Sequence, residues 1–303
     1  MDPAVHTPPL TAEGVLRRLE WRVVRRLDGR LQGDYRTLFR GEGVDFHDLR
    51  EYEPGDDLRH VDWNVTARMD TPYVRQYTED REATAWLLLD RSASMAFGPV
   101  DRQKDLVLVE IALALAQVLV RGGNRVGAVL FDNAVERVVP PGQGRRQVLR
   151  IAHHLLQPPR PRRSPTGATD LAVLFRTASG VARRRSLVVV LSDFVSVPGW
   201  GPSLGLLARR HDVVAVQVRD PRESHLPSAG MVYVEDAETG EQIFVDTDDP
   251  GFQHRLREVA RQRQGELAAQ VHSAGTELHT VSTDEDLVRA LARISELRRR
   301  TRR

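Results

Sequence analysis

The chain has 303 residues, 41% of them hydrophobic, and a formal net charge of +2. That length suits one large α/β unit or two smaller ones, and the near-neutral charge argues against a general polyanion binder. The sequence has no cysteine, which excludes disulfides, thiol catalysis, zinc–thiolate sites and iron–sulfur clusters.

Residues 11–30 carry a helical apolar period through Val15, Leu16, Leu19, Val23, Val24 and Leu27. Residues 31–81 are dense in charge and turn residues, with short β-like pieces such as TPYVRQYTE, and read as a small separate layer. From Ala83 the character changes. ATAWLLLD has the length and apolar run of a buried strand. RQKDLVLVEIALALAQVLVRGG follows as a long, mostly buried helix stopping at Gly122 and Gly123. NRVGAVLFD is a second strand, AVERVVPP suits a short edge strand, and GRRQVLRIAHHLLQ is an amphipathic helix. ATDLAVLFRTASGVARR is a further helix with Thr169 or Asp170 near its start, and SLVVVLSDF a third buried strand. LGLLARRHD (helix) and DVVAVQVRD (strand) come next, then MVYVEDAETGEQIFVDT as a hairpin turning at ETGE. A helix over FQHRLREVARQRQGELAAQVHSAG, a last strand ELHTVST and a closing helix DEDLVRALARISELRRR complete the chain.

Strands alternating with helices imply an α/β fold: a doubly wound, mainly parallel sheet covered on both faces. The expected organisation is an N-terminal helix with a charged turn and β layer over 1–81, the α/β domain over 82–299, and a basic tail over 300–303. No run of eighteen apolar residues is present, and MDPAVHTPPLTAEG has no apolar signal-peptide core, so the expected location is cytoplasmic.

In such a sheet, functional groups gather beyond the carboxyl ends of the strands. Three loops reach that edge here. The first carries Asp90, Ser92 and Ser94, the second Thr169, the third Asp193. Two carboxylates and three hydroxyls are hard oxygen ligands of the kind Mg2+ takes while keeping several waters. Hydroxyls neutralise no charge, so the ion keeps an open, electropositive position. An Asp or Glu side chain of a partner protein is the simplest anionic oxygen to fill it. The bland alternative is that each of these residues caps a helix or turn.

The same residues carry a resemblance. DRSAS at 90–94, GATDL at 167–171 and LSDF at 191–194 resemble the metal-ion-dependent adhesion site of von Willebrand factor A domains. The family pattern is Asp-x-Ser-x-Ser, then a distant Thr, then a distant Asp. All five positions match in order, and the likeness covers roughly residues 82–297. It implies Mg2+ or Mn2+ held by Asp90, Ser92, Ser94, Thr169 and Asp193. Phe194 stands where many members have glycine, a departure that alters the loop and not the ligand. The upstream segment 41–82, GEGVDFHDLREYEPGDDLRHVDWNVTARMDTPYVRQYTEDRE, resembles the signature of the bacterial domain-of-unknown-function family number fifty-eight. Members resemble von Willebrand A proteins encoded beside MoxR-type AAA+ ATPases, and many carry membrane helices. The resemblance implies a metal-dependent adaptor or assembly factor working with such an ATPase or with an acidic client protein. It supplies no substrate.

The remaining polar groups carry less. His47, Asp48, Glu51, Asp56, Asp57, His60 and Asp62 fit no ligand spacing and, with Arg50 and Arg59 among them, read as an ion-pair and turn network. Tyr52 and Trp63 are expected to pin that layer to the main domain. His153 and His154 read as surface or packing residues. Arg160, Arg162 and Arg163 precede Thr169 and form either a solvated loop or a basic rim guiding an acidic partner. The tail LRRRTRR holds five arginines, a solvated end or a peripheral contact with anionic membrane. Nucleic-acid binding lacks a basic patch interleaved with aromatics. A protein that is not an enzyme is the expectation; metal-assisted hydrolysis is the alternative.

Overall fold

The computed structural model describes residues 12–19, 49–53, 61, 63–69, 71–75, 83–99, 102–158, 168–235 and 240–301. The chain is an α/β protein with a mainly parallel central sheet. The sheet has six strands: β3 (Thr84–Asp90), β4 (Arg125–Phe131), β5 (Val135–Gly142), β6 (Leu187–Ser192), β7 (Asp212–Arg219) and β10 (Glu277–Ser282). Their spatial order is β10-β7-β6-β3-β4-β5. Every pairing is parallel except β4 with β5. Pro140 and Pro141 sit in β5, where an edge tolerates a residue that cannot donate.

The chain leaves β3 in one direction toward β4 and β5, then crosses back to β6, β7 and β10 on the other side. The order therefore reverses at β3. In an open α/β sheet such a reversal opens a crevice at the carboxyl ends of the strands.

Alternate residues of β3 face opposite layers, as a strand requires. Leu87 and Leu89 belong to one core with α3 (Lys104–Arg121) and α4 (Gly144–Leu155). Trp86 and Leu88 belong to the other, with α5 (Leu171–Val181) and α6 (Gly201–Arg210). Both faces of the sheet are thus covered, which is why β3 and β6 read as unbroken apolar runs. The α3 helix is apolar nearly all round because it is walled in by the sheet and by α4. It stops at Gly122 and Gly123; Gly123 has φ of +81°, a conformation that favours glycine. At Gly127 a Cβ would come within 2.9 Å of the Trp86 ring, so the glycine makes room for that indole on the neighbouring strand.

Helix α1 (Ala12–Leu19) is part of the first core: Val15, Leu16 and Leu19 are buried with α3 and α4. The rest of the expected 11–30 helix lies outside the described residues. In the following segment, β1 (Leu49–Glu51) pairs antiparallel with β2 (Tyr73–Arg75), with α2 (Trp63–Met69) between them in sequence. Trp63 does not pin this layer. It opens α2 and is 67% exposed. Of the acidic and histidine cluster between 47 and 62, only Glu51 lies among the described residues.

The expected hairpin forms from β8 (Met231–Glu235) and β9 (Gln242–Asp246) as a separate two-stranded sheet. It is followed by α7 (Pro250–Ser273), capped by Asp249 accepting from the Gly251 and Phe252 amides. The closing helix α8 (Leu287–Thr301) runs into the basic tail. Arg298 is not a solvated tail residue. It is buried and donates through Nη2 to both carboxylate oxygens of Asp212, each at 2.8 Å. It is therefore not available for contact with anionic membrane. Among the described residues no helix is long and apolar enough to cross a membrane.

Candidate metal centre

The carboxyl ends of three of the parallel strands share one local device. Asp90 ends β3, Asp193 follows β6 and Asp220 follows β7. Each accepts, through Oδ1, the amide two residues further on: Ser92 at 3.0 Å, Val195 at 2.9 Å and Arg222 at 2.8 Å. An aspartate bonding its own backbone in this way turns the chain out of the strand without orphaning an amide. The second oxygen of each is then spoken for differently. Asp90 Oδ2 accepts from the Ser192 hydroxyl at 2.5 Å. Asp193 Oδ2 accepts from the Lys104 ammonium at 2.7 Å. Asp220 Oδ2 accepts from the Thr283 hydroxyl at 2.5 Å.

Around Asp90 the hydroxyls gather. Ser92 and Ser94 are both buried, and their Oγ atoms lie 3.1 Å apart. They alternate across the entry to a short 3-10 turn, Ala93–Ala96, so both side chains face one way. Ser192 donates to Asp90 and accepts from the Phe194 amide at 2.8 Å, tying the β3 and β6 loops together. Thr169 is buried just ahead of α5. Its carbonyl accepts from the Val197 amide at 2.9 Å and the Ser196 hydroxyl at 3.0 Å, which sews its segment to the loop carrying Asp193. Asp90, Ser92 and Ser94 are thus bonded to one another, Asp193 is linked to them through Ser192, and Thr169 is anchored to the same loop. Arg160, Arg162 and Arg163 lie outside the described residues.

Phe194 adopts φ of 61°, the only non-glycine residue among those described with a positive φ. That is the conformation for which a glycine is usually chosen. Phe194 bears it because its ring is buried against Trp200, at 5.7 Å between centroids.

The electrostatics of the site follow from burial. Asp90 is fully buried; burial foremost, and then the neighbouring Asp193 charge, push its carboxyl up to about 7 against the hydrogen bonds from Ser192 and Ser92. Lys104 lies at the first position of α3 and is 1% exposed. Burial works to lower its pKa, but Asp193 and Glu223 outweigh it and the ammonium is held above its ordinary value. It also donates to Glu223 Oε1, with which it forms a second ion pair, and stands 5.7 Å from the centroid of the Phe97 ring. Two carboxylates, Asp193 and Glu223, thus share one lysine, and Asp90 stands beside Asp193 without an ion pair to that lysine.

A carboxyl driven up by burial and then by a like charge marks a site short of positive charge. Its neighbours are hydroxyls, hard donors that add ligands without adding repulsion. This donor set fits a small divalent cation such as Mg2+. Asp90, Ser92, Ser94, Thr169 and Asp193 would hold it. Among the described residues no group of three or more His, Cys, Asp or Glu side chains is arranged to bind a metal; a pair of carboxylates with three hydroxyls is a set of another kind.

Two participants escape a pattern-based reading. Ser192 lies inside the LSDF string at a position to which the five-residue pattern gives no role. Lys104 carried a signal, since it is the only lysine in a chain otherwise armed with arginine. Its partners, 89 and 119 residues away, are brought to it by the sheet.

The family model described as "Protein of unknown function DUF58" matches residues 48–266. "Uncharacterized protein Rv1480" of Mycobacterium tuberculosis (strain ATCC 25618 / H37Rv) is 35% identical over 308 residues, covering 98% of this chain and 96% of that one. "Uncharacterized protein MAV169" of Mycobacterium avium is 32% identical over 163 residues, covering 54% of this chain and 94% of that one. Among solved structures, the conserved hypothetical protein BatB from Bacteroides thetaiotaomicron aligns at a TM-score of 0.44 and 16% identity, over 73% of this chain and 100% of that one. An aerotolerance-related membrane protein from Bacteroides fragilis NCTC 9343 aligns at 0.45 and 16%, over 72% and 99%. Scores and identities this low say nothing of function.

Proposed function

The chain belongs to the DUF58 family, and we propose that it is a metal-dependent protein–protein interaction module rather than an enzyme. Its domain is of the von Willebrand factor A-like kind. It works as an adaptor or assembly factor with a MoxR-type AAA+ ATPase and captures an acidic side chain of a client. The observation that carries this reading is Asp90: a carboxylate with no exposed surface, beside Asp193, at the strand where the sheet order reverses, with two buried hydroxyls next to it.

Bound Mg2+ or Mn2+ supplies a Lewis-acidic position open to a foreign carboxylate oxygen. The chain's own residues do the rest. Asp90 provides the charge that retains the cation. Ser92, Ser94 and Thr169 would add neutral oxygens, which would leave a bound cation enough positive charge to attract an acidic ligand. The Asp90 and Asp193 turns and the Ser192 bridge hold the two loops in register, so the ligands are ordered before the ion arrives.

Thermal unfolding with and without metal tests this reading. At a metal concentration of about a hundred times Kd, linkage adds about 2.7 kcal/mol, enough to raise Tm by several degrees. The rise is expected in the wild type and not in Asp90→Ala or Asp193→Ala. Equal shifts in all three refute the site. Capture of an acidic client should be abolished by EDTA. Turnover of phosphoester or ester substrates that Asp90→Ala abolishes would move the assignment to metal-assisted hydrolysis.

A further inference from the structure

Lys104 has no place in a simple metal-ligand set. A lysine at the first turn of a helix opposes the helix dipole, and a buried ammonium is costly unless it is well paired. Here it is both buried and at a helix start, and the sequence spends its only lysine there. Its pairing is specific. Asp193 uses Oδ1 for its own turn, so Oδ2 is the oxygen left for a cation, and that is the oxygen Lys104 holds at 2.7 Å. Glu223 offers the ammonium a second carboxylate, and the Phe97 ring lies close by. Glu223 is itself fixed, since its Oε2 accepts from the Asp220 amide at 3.2 Å. Lys104 can therefore give up Asp193 without being left unpaired.

We propose that Lys104 is the resident counter-cation of the site: it holds Asp193 in the metal-free protein and yields it to a divalent ion, retaining Glu223. This rests on the metal-centre reading above and adds to it a competition between two cations for one carboxylate oxygen. The consequence is an Asp193 that stays neutralised when the site is empty and a metal affinity set by a lysine. The contrary arrangement is a lysine that permanently orients Asp193 for the metal. The two differ in sign. Removing a competing unit charge from a partly buried site tightens divalent binding by about tenfold or more; removing an orienting group weakens it.

Because the chain has one lysine, 15N-lysine labelling gives a single side-chain Nζ resonance. Titrating the wild-type protein with Mg2+ should shift that resonance and speed its hydrogen exchange as Asp193 is released, and Asp90→Ala should show neither effect. In parallel, Mn2+ binding is followed by electron paramagnetic resonance in the wild type, Asp90→Ala and Lys104→Met. Lys104→Met should bind Mn2+ at least tenfold more tightly than the wild type. It should also lose stability in EDTA and recover it with Mg2+. If the wild type binds Mn2+ and Asp90→Ala does not, but the Nζ resonance stays fixed or Lys104→Met binds more weakly, the counter-cation proposal is overturned and the metal centre stands. If neither the wild type nor Lys104→Met binds Mn2+, the metal centre falls and the proposal with it. The resonance is read on the unaltered protein, so a folding defect in Lys104→Met does not shield the proposal from refutation.

Discussion

Replacing Asp90 with asparagine should stabilise the metal-free protein, against the usual rule that altering a fully buried, hydrogen-bonded residue destabilises. Burial and Asp193 raise the Asp90 carboxyl from 3.8 to about 7. That is about three units, and at about 1.36 kcal/mol each the ionised side chain costs about 4 kcal/mol at pH 8. The sign follows from proton counting. Between pH 3.8 and 7 the folded protein keeps a proton on Asp90 that the unfolded chain has lost. Stability is therefore greatest below that window and falls as pH rises through it. Asparagine carries no charge and can still accept the Ser92 amide. It would turn an amide toward Ser192, at a cost of about 1 kcal/mol. The net expectation in EDTA at pH 8 is a gain of about 2–4 kcal/mol, narrowing by more than half at pH 5. With Mg2+ at about a thousand times Kd, where linkage adds about 4 kcal/mol, the gap at pH 8 should close or reverse, because only the wild type gains from the ion. Urea unfolding at the two pH values, with EDTA or Mg2+, reads all of this. An Asp90→Asn variant less stable than the wild type in EDTA at pH 8, or a gap indifferent to pH, would refute the charge argument.

Three further outcomes are expected. Arg298→Ala should cost about 2–4 kcal/mol by removing the buried guanidinium whose Nη2 donates to both Asp212 oxygens; a loss below half a kcal/mol in urea unfolding would show the pair to be merely superficial. Phe194→Gly removes the strain of a positive φ, about 1–2 kcal/mol, but empties the space against Trp200. Packing should win by about 2 kcal/mol, with the metal-induced Tm rise retained, and a neutral or stabilised variant would contradict that ranking. Asp220→Asn should lose about 1–2 kcal/mol through its Thr283 contact yet respond to Mg2+ like the wild type; loss of the response would extend the centre to the β7 loop.

Much of the architecture was legible because it rests on local signals. The buried strands declare themselves as apolar runs ending at a polar residue, ATAWLLLD and SLVVVLSDF. The long α3 helix has its Gly122–Gly123 stop. The edge strand is marked by its prolines. Boundaries drifted where one residue type serves two ends. Helix α6 begins at Gly201, three residues ahead of the expected LGLLARRHD, because Gly-Pro reads as loop although proline suits a helix's first turn. The helix expected from Ala168 begins at Leu171, since Asp170 caps it instead of entering it, accepting the Ala172 amide at 2.9 Å. The oxygen donors of the candidate site were legible for the same reason, each sitting at a strand end. Lys104 stands out in the sequence only as the single lysine, and its role is hidden there, because a lysine at a helix start looks solvent-facing until the sheet places Asp193 and Glu223 over it. Arg298 was missed likewise: in LRRRTRR nothing separates the arginine that finds Asp212 from its neighbours.

The three strand-end aspartates show how one structural solution leaves room for different chemistry. Each must turn the chain away from a buried strand, and each spends one oxygen on the amide two residues ahead. Were that their whole purpose, asparagine or serine would serve with less electrostatic penalty. What distinguishes them is the other oxygen. At Asp220 it meets a neutral hydroxyl, and the residue needs nothing further. At Asp193 it meets an ammonium that travels the length of a lysine side chain to reach it. At Asp90 it meets a serine, so among the described residues a fully buried carboxylate has no cation of its own. A fold selected for stability alone would not keep an unneutralised carboxyl beside another carboxylate at the point where its strand order reverses. The charge missing at Asp90 is the strongest physical reason to look for an ion there, and the charge present at Lys104 is the reason to expect that ion's affinity to be regulated.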